Sequence, residues 1–379
     1  GQTFHARAAK PLAELREARA AGFDVRPVLI GPVSYLLLGK MRPGEHRRKE
    51  TPSVLSLLPA LLPAYEALLR DLHSAGATWV QLDEPALVLD LDEATRAAFS
   101  TAYDRLAGAA PGLRLFLVTY FGGLEENLEL ALHLPVAALH LDLVRAPQQL
   151  TQALRLGVPD HLILSLGVVD GRNVWRTDLA AALAKLTEAA DALGPERLWV
   201  APSCSLLHVP IDVAAETRLD PEVRGWLAFA VQKLNELALL TRALNEGRRA
   251  VEADQMENQR LIAARQASSS RRDVAVAERL AQLTPEMSRR HASYAERRPA
   301  QAARLPLPPL PTTTIGSFPQ TPEVRKLRRD YKAGRLSEQG YRAALRQEIA
   351  RVIALQEEIG LDVLVHGEPE RNDMVEYFG

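Results

Sequence analysis

Short, almost continuous apolar runs alternate with helical stretches through the first 210 residues, and that alternation leaves few folds open. The runs are Val25–Ile30, Thr78–Leu82, Leu113–Val118, Ala137–Leu141, Leu162–Leu166 and Leu198–Val200. Runs without polar alternation are what strands buried on both faces of a parallel sheet require. Between them lie Ala/Leu/Glu/Arg-rich segments with helical spacing, such as Leu55 to Leu72 and Leu179 to Leu193. Repeated strand–helix units imply right-handed crossovers and a parallel sheet. Polar strand ends favour a (β/α)8 barrel over a doubly wound sheet, and no G-x-G-x-x-G follows a strand, which counts against a dinucleotide fold. Six strands can be counted before the pattern stops, two short of a closed barrel.

From about Leu219 to Arg304 the pattern is helical. Trp226, Leu227, Val231, Leu234, Leu237, Leu240 and Leu244 predict one amphipathic helix that Gly247 ends, and a second helix is expected over Arg248 to Arg265. Ser270 with Asp273 resembles a capping box opening a third. The paired arginines of this region alternate with acids, as on a solvated helix face rather than a nucleic-acid patch. Four prolines in the seven residues 305–311 then form a semi-rigid linker. Beyond it, Thr312–Ile315 and Leu361–Val365 are expected strands. Between them come two helices, one capped by Thr321 with Pro322 in its first turn, the other running from a Ser337 cap to Gly360. The expected division is therefore a barrel portion over 1–218, a helical connector over 219–304, a linker over 305–311 and the opening of a second barrel over 312–379.

The richest chemistry sits at the ends of the last two expected strands. Ile315, Gly316 and Ser317 follow one; His366, Glu368, Glu370, Arg371 and Asp373 follow the other. Amides near Gly316 and Ser317 with the serine hydroxyl can cradle a carboxylate, and Glu368 can pair with an ammonium. Together they suit an amino-acid zwitterion; the alternative is a Gly-Ser turn beside a surface network of acids and Arg371. His366, Glu368 and Glu370 match no strong zinc spacing. In the first region, Asp83 and Glu84 at a strand end read equally as a general acid/base pair or as a turn with a helix-capping acid. Cys204 and His208 could pair as ligands or as nucleophile and base, but a lone cysteine fits a buried, inert thiol better. His140 and Asp142 alternate along a strand and carry no assigned role.

The segments PTTTIGSFPQTP over 311–322 and VHGEPERNDMVEYF over 365–378 closely resemble cobalamin-independent methionine synthases. So do VLIGPVSY over 28–35, VQLDEPAL over 80–87, VTYFGG over 118–123 and WVAPSC over 199–204. The resemblance implies two (β/α)8 barrels joined by a long connector, and methyl transfer from 5-methyltetrahydropteroyltriglutamate to homocysteine, forming methionine. It assigns Ile315, Gly316 and Ser317 to the amino-acid carboxylate and Glu368 to its amino group. It also implies a Zn2+ ion that makes the homocysteine sulfur a thiolate. Its ligands and the catalytic residues are expected beyond Gly379, so the chain looks like an internal, inactive piece of a longer enzyme. Asp83 and Cys204 resemble duplicated positions of the second barrel without its metal chemistry. A uroporphyrinogen decarboxylase-like barrel and a non-catalytic scaffold are the alternatives.

Formal charge is −1, a single cysteine is present, and no run approaches membrane-span length. With no signal peptide at GQTFHARAAKPL, the expectation is a cytoplasmic protein with no nucleic-acid or membrane partner, monomeric at full length.

Overall fold

The computed structural model describes residues 2–40, 53–269 and 273–378. They form two compact units that part between Asp273 and Val274.

The first unit is built on six parallel strands: β1 (Val28–Ile30), β2 (Trp79–Asp83), β3 (Arg114–Val118), β4 (Ala138–Asp142), β5 (Ile163–Val169) and β6 (Leu198–Pro202), paired in sequence order. Each expected run is a strand, although Val25–Ile30 yields only three paired residues. Helices such as Leu58–Ser74, Glu93–Ala107 and Leu179–Leu193 connect them. Alternation along each strand separates two faces. Val80, Leu82, Leu115, Leu117, Leu139, Leu141, Leu164 and Leu166 pack with helix leucines in the main core. Phe116, Val118 and Ala138 point the other way, against Trp79, Ile163 and Trp199. In a flat sheet β2 and β6 would stand about 19 Å apart, four strand spacings. Yet the Trp79 and Trp199 rings meet edge to face at 4.9 Å between centroids. The sheet is therefore strongly curled, with the second face lining a hollow, as in a barrel-type α/β fold.

The single amphipathic helix expected from Trp226 to Leu244 is two helices, Pro221–Trp226 and Ala230–Glu246. The interruption comes from outside the segment, where Leu227 pairs antiparallel with Trp175 and Ala228 N–H donates to Val174 O at 2.8 Å. Gly247 ends the longer helix in the left-handed region, at φ 89°. The next stretch starts as a 3₁₀ turn, Arg248–Val251, and becomes α-helical over Glu252–Ala267. The proposed Ser270 cap lies outside the described residues; the helix after it is Val274–Ala281.

In the second unit the Pro-rich segment 305–311 is irregular. Thr321 caps helix Pro322–Lys332 and Ser337 caps helix Glu338–Ile359, whose end is closed by left-handed Gly360. The strands expected over Thr312–Ile315 and Leu361–Val365 do not form. The two segments run side by side with one parallel bridge, Ser317 to Gly367, and two backbone bonds, Val363 N to Thr312 O (3.0 Å) and Phe318 N to Gly367 O (2.9 Å). A two-stranded parallel pair buries too little to hold a regular ladder. Side chains take over: Asp362 accepts from the Thr312 amide and hydroxyl, each at 2.8 Å. No described helix is long and apolar enough to cross a membrane.

Candidate functional site

In the second unit the Gly-Ser bend and the acidic loop meet. Gly316 has φ 132° and Gly367 φ 87°, backbone states that L side chains rarely adopt. A β-carbon on Gly367 would lie 2.8 Å from Val352 Cγ1, so this glycine also lets the loop press onto helix Glu338–Ile359. The bridge between Ser317 and Gly367 sets Glu368 beside Gly316: its Oε1 is 3.4 Å from where a Gly316 β-carbon would stand. Glu368 itself is left-handed at φ 53°, a conformation that costs a non-glycine residue about 1–3 kcal/mol and persists only when surroundings impose it. Its carboxylate forms an ion pair with Arg371. An ammonium entering here would share that carboxylate with the guanidinium or displace it.

The structure thus brings Gly316, Ser317 and Glu368 together. Ile315 is adjacent in the chain, but its side chain stands fully in solvent, leaving its backbone as its means of contact. His366 Nδ1 is 3.8 Å from Glu370 Oε2. Among the described residues no group of three or more His, Cys, Asp or Glu side chains is placed to hold a metal ion. Zinc therefore finds no fitting donor set among them.

The hollow of the first unit holds the other candidates. It is a cavity of about 460 Å³ lined by Arg26, Gln81, Asp83, Tyr120, His140 and Cys204, among others. Asp83 accepts from Gln81 Nε2 (2.7 Å) and Tyr120 OH (3.2 Å). Burial pushes Asp83 above the usual carboxylate range against those bonds and the nearby Arg26 charge, and burial beside Asp83 raises Tyr120 to about 12. His140 is buried between Ser165 Oγ (2.9 Å at Nδ1) and Ser203 O (3.3 Å at Nε2). A carbonyl only accepts, so Nε2 carries the proton and Nδ1 receives the serine hydroxyl. Burial, with Arg26 adding to it, lowers its pKa to about 4 despite the Ser203 carbonyl. Asp142 accepts from three amides, Phe121 (3.0 Å), Val144 (3.1 Å) and Arg145 (2.9 Å), so it organises the turn after β4 and ties to it the loop after β3, where Phe121 is left-handed at φ 73°.

Glu84 resolves toward the capping alternative. It is wholly enclosed and accepts from the amides of Ser34 (2.8 Å) and Val33 (3.3 Å) and from Tyr103 OH (3.3 Å). It thus caps helix Pro32–Leu38, about fifty residues earlier in the chain, beside bare Gly31: a β-carbon there would fall 2.1 Å from Glu84 Oε1. Cys204 is buried, with its thiol pushed up chiefly by burial, while His208 is exposed and stacks edge to face on Phe121 at 5.4 Å. Arg26 and Ser165 escaped the reading of the sequence. Ser165 could have been found by alternation from Ile163; Arg26, before the strand begins, carries no local signal.

Strand–helix units around a curled parallel sheet, followed by a polar site where two parallel segments end, define a barrel-type α/β protein. The model of the cobalamin-independent synthase N-terminal domain matches residues 1–194, and that of the cobalamin-independent synthase catalytic domain matches 310–379. The chain belongs to the cobalamin-independent methionine synthase family, which sets aside the decarboxylase-like alternative. Two curated relatives are named 5-methyltetrahydropteroyltriglutamate–homocysteine methyltransferase. The one from Caulobacter vibrioides is 56% identical and the one from Nitrobacter winogradskyi 53%, each over all of this chain and 48% of its own length. The chain therefore spans about half the length of the curated relatives it matches. Among solved structures, a B12-independent methionine synthase described as putative, from Listeria monocytogenes, is 17% identical with a TM-score of 0.45, over 62% of this chain and 68% of its own. A B12-independent methionine synthase from a Shewanella species is 14% identical with a TM-score of 0.44, over 65% and 68%.

Proposed function

We propose that this chain carries the amino-acid-binding part of an enzyme that moves the methyl group of 5-methyltetrahydropteroyltriglutamate to homocysteine, forming methionine. Amides and hydroxyl at Ile315, Gly316 and Ser317 receive the substrate carboxylate; Glu368 receives its ammonium. The supporting observation is the approach of the Glu368 carboxylate to the bare backbone at Gly316, 3.4 Å from where a β-carbon would stand. Opposite charges of one small zwitterion can be held across that gap. None of the residues described above is assigned to methyl transfer itself or to the zinc ion of the activity. The reading keeps 1–218 as a barrel portion, 219–304 as connector, 305–311 as linker and 312–379 as the opening of the catalytic barrel. It places the protein in the cytoplasm as a monomer, without nucleic-acid or membrane partners.

The test is calorimetric titration of L-methionine and L-homocysteine into the complete product of the gene that encodes this chain. Glu368→Ala should weaken both by ~1.5–3 kcal/mol, about 10- to 150-fold, the worth of one hydrogen bond to a charged group. Unchanged affinity would remove Glu368 from the site and this reading with it.

A further inference from the structure

Beyond the bridge at Gly367, the loop that carries Glu368 is braced by a guanidinium on another element. Arg328 lies on helix Pro322–Lys332. Its Nη2 donates to Pro369 O at 3.0 Å and to Gln320 Oε1 at 2.7 Å, and its Nη1 donates to Asn372 Oδ1 at 3.1 Å. Gln320, so oriented, donates through Nε2 to Arg371 O at 3.1 Å and to Glu368 O at 3.4 Å. Four of these bonds end on residues 368–372. They matter because Glu368 is left-handed, and such a backbone state relaxes unless neighbours impose it. The ion-pair partner of the Glu368 carboxylate is Arg371, so Arg328 works on the loop rather than on the carboxylate. Gln320 follows the Gly316–Ser317 bend by three residues and directly precedes Thr321, the cap of the helix that bears Arg328. One short stretch of chain therefore carries both the bend and the clamp on the opposing loop.

We infer that Arg328 is a positioning residue for amino-acid binding: through Pro369, Asn372 and Gln320 it holds the Glu368 carboxylate against Gly316, at the distance the ammonium needs from the carboxylate cradle. This rests on the amino-acid-binding reading above. Three acceptors in different directions suit a planar guanidinium and not a point-like ammonium, so lysine is a partial substitute.

The experiment compares two ligands in the complete gene product: L-methionine and 4-(methylthio)butanoate, its analogue without the α-amino group. Arg328→Leu should weaken L-methionine about tenfold, comparable to losing the charged bond itself, and leave the butanoate within twofold. Arg328→Lys should recover part of the loss, and Gln320→Ala should reproduce a smaller one. In a Glu368→Ala background Arg328→Leu should add nothing, since residues acting through one contact are not additive. Equal losses for both ligands, or additive losses in the double variant, would make Arg328 a general support of the unit and overturn the inference. Unchanged L-methionine affinity in Arg328→Leu, with Glu368→Ala still weakened, would overturn it while sparing the binding reading. Unchanged affinity in Glu368→Ala would end both.

Discussion

Replacing Glu84 by glutamine isolates the charge of an acid that no water reaches. The carboxylate sits in the core with three donors around it, yet burial outweighs them and pushes its pKa from 4.5 to about 7. The sign follows from linkage: a group that binds its proton more tightly when folded stabilises the fold below its unfolded pKa. That stability is lost as pH rises through the folded one. Between pH 5 and pH 8 the shift is worth about 2.5 kcal/mol, taking 1.36 kcal/mol per unit. Glutamine keeps the shape but offers only one oxygen, so its amide group faces the Val33 or Ser34 N–H, a mismatch of about 1–3 kcal/mol that does not vary with pH. Urea unfolding followed by circular dichroism at intervals across this range separates the two effects. The stability of the native protein relative to Glu84→Gln should fall by about 2.5 kcal/mol from pH 5 to pH 8. Parallel pH profiles would mean that Glu84 ionises at its ordinary value, and the account of burial overriding its hydrogen bonds would be refuted.

Gly316→Ala places a side chain at φ 132° and 3.4 Å from Glu368 Oε1. It should cost about 1–3 kcal/mol of stability and weaken L-methionine binding, and wild-type stability and affinity would contradict the geometry. The His140 ring, lowered to about 4, should show flat NMR shifts from pH 8 down to pH 5. Its stabilisation, present above the unfolded value near 6.5, should drain away as pH falls through 4, and a midpoint near 6.5 in the folded protein would refute its burial. Cys204, enclosed and with its thiol raised, should react with iodoacetamide at pH 7.5 far more slowly in the folded protein than in urea; equal rates would show it to be accessible.

Much of the first unit was legible because its strands are buried on both faces. An apolar run flanked by helical spacing has few other readings, and Ala138–Asp142, buried at every position, shows why. The caps at Thr321, Ser337 and Gly360 were legible because the bonds that make them reach only three or four residues. The two motifs of the candidate site are legible one by one, and the parallel bridge from Ser317 to Gly367 joins them. The β-branched run Thr312–Thr314 misled, because a strand is made by its neighbours more than by its own propensity.

Local periodicity and short-range capping are properties of adjacent residues, so the succession of strands and helices, and the places where several helices start and stop, belong to the sequence alone. Contacts between distant residues are not. The tertiary structure alone decided that Trp79 touches Trp199 across the hollow. It decided that Glu84 caps a helix fifty residues away rather than serving as an exposed acid. It decided that Trp175 breaks a continuous apolar stripe at Leu227, and that Arg328 reaches the loop holding Glu368. Each depends on burial and on a partner far along the chain, and no window of neighbouring residues contains either.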